Sequence, residues 1–171
     1  GTADYTSQSY FNFSSTLLYQ DAYVARFDAG MHLTWLTALG GPNDDHAFAL
    51  TVDNVMNRLI VVGKTASKNN ESVAECPTTG QYDFPLCYPT GSYHQYLLNG
   101  AANCDNPTSC GTDGFVTAFD LGDLHMLYSS YFGSGGGPLD ALTDVVTDQS
   151  GNIFMVGWDD DASYANNVCG W

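Results

Sequence analysis

Asp21-Ala22-Tyr23-Val24-Ala25-Arg26-Phe27-Asp28 is the key to this chain, because 92 positions later it returns as Asp113-Gly114-Phe115-Val116-Thr117-Ala118-Phe119-Asp120. Each copy sets apolar and aromatic residues between two aspartates, the pattern of a short strand closed by a turn. The residues after each copy agree in type and order. After the first, Leu33, Trp35, Thr37 and Leu39 share one face of a second strand by period two. A turn over 40–45 leads to a third strand at 46–52 that ends at Asp53, and a turn at 54–57 delivers a fourth at 58–63. After the second copy, strands are predicted over 115–119, 126–132, 141–147 and 153–157. Trp35 and Tyr128, Asp45 and Asp140, Asp53 and Asp148, and Gly63 and Gly157 stand 93, 95, 95 and 94 positions apart. The slips of a few residues fall in turns, where insertions are tolerated. Self-similarity at a fixed period marks an internal repeat.

Composition agrees with an all-β chain. Of 171 residues 44% are apolar, enough for a real core, yet only 13% are charged. Those charges are 19 acids against 4 Lys and Arg, for a net charge of −15. Such a surface repels nucleic acid and anionic membrane, so neither is expected as a partner. The acid is mostly aspartate beside Gly and Asn, which belongs to turns, while 11 tyrosines and 18 glycines replace the long helix formers. The longest aliphatic run, 59–62, is far below spanning length, so no membrane insertion is expected. No basic-then-apolar leader opens the sequence, so if the chain is secreted the expectation is that this is its mature form.

The expected organisation is an N-terminal strand or arm (1–20), a first blade-like repeat (21–65), a Cys-rich linker (66–112), a second repeat (113–158) and an acidic tail (159–171). Four of five cysteines, Cys76, Cys87, Cys104 and Cys110, fall in the linker with four prolines, and Cys169 stands near the end. A long loop in a compact domain is functional or pinned by cross-links. Cys76 with Cys87 and Cys104 with Cys110 make two small disulfide loops; crossed connectivities remain open, and Cys169 is left to a partner chain or to displace one of these. The clustering favours an oxidising, extracellular setting. Asn12 and Asn70 begin sequons compatible with glycosylation.

These residues also match a family pattern. Residues 21–28, Trp35 to Gly41, Asp45 to Asp53 and Asn57 to Gly63 resemble the bacterial β-propeller repeat called SBBP. In the second unit, Tyr128-Ser129-Ser130-Tyr131-Phe132-Gly133 and 148–157 are similar, as are Asp83-Phe84-Pro85 and 91–95 to the stretches that link blades. The resemblance covers about two thirds of the chain. It implies two four-stranded antiparallel propeller-blade-like units with a long disulfide-bearing loop, in large secreted or cell-surface proteins of adhesin-like or filamentous type. It implies no catalytic residues. A closed propeller needs at least about four blades, so two units form an incomplete propeller unless other chains or a longer polypeptide complete it.

Candidate sites are few. Asp44-Asp45-His46 and Asp140 read as turn carboxylates bonded to backbone amides, with a cation or sugar site as the other reading. The turn 148–152 lacks the ligand pattern of a calcium loop. Asp159, Asp160 and Asp161 are the only calcium candidates, and no other cofactor or metal is expected; His32, His46, His94 and His125 are scattered. No nucleophile stands beside a base, and the glycine-rich 133–138 offers no phosphate-binding Lys. Tyr82, Tyr88, Tyr93 and Tyr96 in the linker form a ligand-facing set suited to stacking on sugars. The expected function is a non-enzymatic, secreted or cell-surface structural or adhesive protein, a self-assembling extracellular filament subunit joined through sheet edges or the N-terminal arm. The alternative is a carbohydrate- or protein-binding propeller module of a larger secreted protein.

Overall fold

Four aspartates turn the chain. The Asp28 carboxylate accepts the His32 N–H at 2.8 Å, Asp53 those of Val55 and Met56 at 3.0 and 3.1 Å, Asp120 that of Gly122 at 2.6 Å, and Asp148 those of Ser150 and Asn152 at 2.8 Å each. Each side chain takes up amides that the tight turn leaves without a ladder partner. In a computed structural model that describes residues 19–69, 76, 83–95, 98, 111–133 and 139–159, these turns close four antiparallel hairpins. They join β1 (Ala22–Phe27) to β2 (Leu33–Leu39), β3 (Asp45–Asp53) to β4 (Arg58–Thr65), β5 (Asp113–Asp120) to β6 (Met126–Phe132), and β7 (Asp140–Thr147) to β8 (Ile153–Asp159). The chain is all-β: the described residues hold no helix, and therefore none that could cross a membrane.

The duplication extends to local irregularities. A register shift lies at Arg26/Phe27 in the first hairpin and at Ala118/Phe119 in the third, and another at Ala47/Ala49 in the second and Leu142/Asp144 in the fourth. Met31 and Leu124, 93 positions apart, both take left-handed backbone at φ 63° and 64°. The Asp45 N–H donates to the Gln20 carbonyl at 2.6 Å, and the Asp140 N–H to that of Thr112 at 2.6 Å. Bulges set where a strand bends, so their recurrence makes the two repeats the same object in three dimensions.

The sheets, however, are not the repeats. The hydrogen-bonded order is β1-β2, then β3-β4-β5-β6, then β7-β8. This corrects the expectation of one four-stranded sheet per repeat: the four-stranded sheet takes its first two strands from one repeat and its last two from the other. The reason lies in burial. β4 (Arg-Leu-Ile-Val-Val-Gly-Lys-Thr) and β5 (Asp-Gly-Phe-Val-Thr-Ala-Phe-Asp) are buried almost continuously, a pattern that a strand bears only when both faces are covered. They pair in the middle of the sheet from Arg58↔Asp120 to Thr65↔Asp113, although residues 66–112 separate them in sequence.

Alternate residues of these two strands then build two cores. Leu59, Val61, Phe115 and Phe119 face Val24, Trp35 and Leu39 of the first hairpin, with Trp35 edge-on to Phe119 at 5.5 Å. Ile60, Val62, Val116 and Ala118 face Leu142 and Val145 of β7. The described residues thus stack as three sheets, a hairpin on each side of a four-stranded middle. The linker enters the first core through Phe84, Leu86 and Cys87, with Phe84 at 5.1 Å from Phe115 and 5.6 Å from Tyr131. Cys87 exchanges backbone bonds with Ser129 at 3.0 and 2.6 Å, which covers the outer edge of β6 there. A disulfide joins Cys87 to Cys76.

Candidate functional site: the two open ends of the stack

The repeat makes the ends legible, because every end residue has a counterpart in the middle. Tyr23 and Phe27 on β1 are 70% and 52% exposed; their counterparts on β5, Phe115 and Phe119, are both 0%. Phe154 and Val156 on β8 are 57% and 59% exposed; their counterparts on β4, Ile60 and Val62, are both 0%. Trp158 and Val146 extend the apolar face of the last hairpin, and Leu50 and Val52 leave the β3 side of the middle sheet uncovered. Exposed apolar residues scattered singly need no explanation, but contiguous ones mark contact surfaces. Among the described residues β1 pairs with β2 alone and β8 with β7 alone, so each end also offers a strand edge.

Two grooves flank these edges. One, of about 540 Å³, runs between β1 and β3 and is lined by Tyr23, Ala25, Asp45, Phe48, Leu50 and Val61. The other, of about 430 Å³, lies between the middle sheet and β8, with Val116, Ala118, Leu127, Tyr128, Phe132 and Met155 on its walls. Tyr93 stands at its rim, its ring 5.8 Å from that of Phe132 and its carbonyl accepting from the Tyr128 hydroxyl at 2.9 Å.

A pair of carboxylates recurs in the two repeats, the first of them beside the β1–β3 groove. Gly40 admits Asp21 and Asp45: a Cβ there would lie 2.7 Å from Asp45 Oδ2 and 2.9 Å from Asp21 Oδ1. Gly133 does the same for Asp140 and Asp113, at 2.5 and 3.1 Å. Asp45 Oδ2 accepts from the Gly41 N–H at 2.7 Å and the Ser67 hydroxyl at 2.8 Å. Burial pushes its pKa up to about 7 against the pull of bonds from Thr65, Gly41 and Ser67, with the Asp21 charge adding to the rise. Partial burial, reinforced by the Asp44 charge, raises Asp21 to about 6. The Oδ1 atoms of Asp21 and Asp45 are buried with no hydrogen-bond partner among the described residues. In the second repeat the linker supplies a clamp: Gln95 Nε2 donates to Asp113 at 2.6 Å, and Gln95 Oε1 accepts the Gly133 N–H at 3.0 Å.

Other sequence candidates are dispersed. Tyr88 is half-buried and stacks on His94 at 3.8 Å. Tyr88 and Tyr93 are on one loop, and Tyr82 and Tyr96 lie outside the described residues. So do Asn12, Asn70, Cys104, Cys110, Cys169, Asp160, Asp161 and residues 1–18. Asp159 ends β8 opposite Asp140. Asp120, Asp123 and His125 group their ligand atoms within 4.8 Å at the β5–β6 turn, where His125 hydrogen-bonds Asp123; nothing else there points to an ion. The Asp21–Asp45 and Asp113–Asp140 pairs were missed as pairs by sequence reasoning. Their signal is present as duplicated aspartates beside a duplicated glycine, but their meeting depends on the β1–β3 crossing.

No protein-family model matches this chain, and no curated protein matches it.

Proposed function

We propose that this protein is a non-enzymatic structural subunit, secreted or displayed at a cell surface, that self-associates through the open ends of its sheet stack. One observation carries the reading: the aromatic and aliphatic residues exposed at the ends hold the same repeat positions as residues fully buried in the middle. Surface of that composition is soluble only at a cost and stable when covered. The Cys76–Cys87 disulfide is compatible with an oxidising compartment, and the resemblance of the repeated motif to the SBBP type supports a role in extracellular architecture. A contact between two different ends is heterologous, so it propagates into a ring or a filament.

Sedimentation and negative-stain microscopy of the purified chain test this, at roughly 0.15 M salt or above so that the net charge of −15 is screened. Rings or filaments that dissolve on Tyr23→Asp with Phe27→Asp are the expected result. A folded monomer at every concentration sinks the reading and favours a binding module, for which a glycan array is the next measurement.

A further inference from the structure

The middle sheet contains its own instruction for the joint. It is made of a β3-type and β4-type strand followed by a β5-type and β6-type strand. The last hairpin repeats the first two and the first hairpin repeats the last two. Resting on the self-association reading above, we infer that β8 of one copy pairs antiparallel with β1 of a second copy in the β4–β5 register, completing a four-stranded sheet β7-β8-β1-β2 across the joint.

The register follows from the observed ladder. Ile60↔Ala118, Val61↔Thr117 and Val62↔Val116 carry over to Phe154↔Arg26, Met155↔Ala25 and Val156↔Val24, because β8 follows β4 by 94 positions and β1 precedes β5 by 92. Face assignments agree without adjustment. Ile153 and Met155 already pack on the second core, as Leu59 and Val61 do on the first. That leaves Phe154, Val156 and Trp158 to face outward, toward Leu50 and Val52 of the incoming copy, on the uncovered side of its β3. From the other direction, Tyr23 and Phe27 of that copy point into the apolar groove walled by Val116, Ala118, Leu127, Tyr128 and Phe132. Both grooves and both exposed faces are thus filled by one rigid operation, and the buried partners in the middle sheet show that these side chains suit such a layer. A second copy of this chain is the occupant because it carries the complementary half-sheet in the required order.

Cysteine pairing reads the register directly, since facing Cα atoms of an antiparallel ladder lie within disulfide reach. Arg26→Cys and Phe154→Cys are both at exposed positions and are made in separate chains, then mixed under mild oxidation beside wild type as background. Arg26→Cys mixed with Val156→Cys, also exposed, is the control slipped by two residues. Circular dichroism verifies that each variant is folded. Cross-linked dimer at roughly tenfold the slipped control supports the joint. Assemblies that form in the microscope while cross-linking follows the slipped pair, or neither, overturn this register and leave self-association standing. A folded chain that stays monomeric and uncross-linked overturns both, and assigns the two edges to another occupant.

Discussion

Phe115 and Tyr23 occupy the same place in two copies of one motif, yet one is fully buried and the other is 70% exposed. Ile60 and Phe154 differ in the same way. Local sequence, turn chemistry and even bulges are shared, so the difference comes only from what lies against each strand. A central strand of the middle sheet has a neighbour at both edges and a layer on both faces. Among the described residues, its copy at the end has one of each. Over the described residues the fold is therefore a periodic stack ending in two half-sheets, and its ends have the composition of an interior.

Truncating both aromatics separates the two environments most strongly. Phe115→Ala empties a fully buried site and is expected to cost about 3–5 kcal/mol of unfolding free energy, read from urea midpoints of dilute protein. Tyr23→Ala in the same assay is expected to change stability by less than about 0.5 kcal/mol. Equal costs would mean that Tyr23 is already covered within the monomer. Reduction of Cys76–Cys87 comes next. The bridge spans a separation of 11 residues and is expected to contribute about 3 kcal/mol through loop closure, so Tm with and without reductant measures how firmly the linker holds the first core. Gly63→Ala places a Cβ 1.9 Å from the His46 carbonyl in the middle sheet, with an expected loss of about 1–3 kcal/mol. Gly157→Ala, at the matching place 2.0 Å from the Ala141 carbonyl, is expected to loosen only the last hairpin, seen as faster amide exchange confined to β7 and β8.

A pH slope probes the carboxylates of the first repeat. Asp45 and Asp21 have folded pKa values raised to about 7 and about 6 from 3.8. The folded state therefore binds more protons than the unfolded one between these values. Their contribution favours folding at low pH and is lost as pH rises from about 4 to about 7. Asp28 and Asp148 act oppositely. The His32 backbone and side-chain bonds lower Asp28, and the Asn152 side-chain and backbone bonds lower Asp148, so their contribution fades as pH falls through their depressed pKa values. Asp45→Asn is expected to flatten the slope between about pH 4 and 7, followed by urea midpoints; an unchanged slope would place the titration elsewhere.

Much of the fold is legible in the sequence. The duplicated aspartate-bounded motif locates β1 and β5, period two locates the core face of β2, and the turns that open on an aspartate locate the hairpins. These are local properties, fixed by alternation and by turn side chains within a few residues. The end faces are not legible in this way. Phe154 alternates on its strand just as Ile60 does, and alternation cannot say whether a layer covers it. The carboxylate pairs stay hidden for the same reason, since Asp21 and Asp45 are 24 positions apart and meet only where the chain crosses between sheets.

The repeat, the strands in outline and the turns can be read from residues alone, because each rests on neighbours a few positions away. The phase of the sheets cannot, and it was settled in three dimensions. The β4–β5 ladder joins strands across residues 66–112, and the choice between pairing within a repeat and pairing across two depends on which arrangement covers both faces of the two most buried strands. That is a long-range packing energy, and among the described residues it leaves a two-stranded half-sheet at either end.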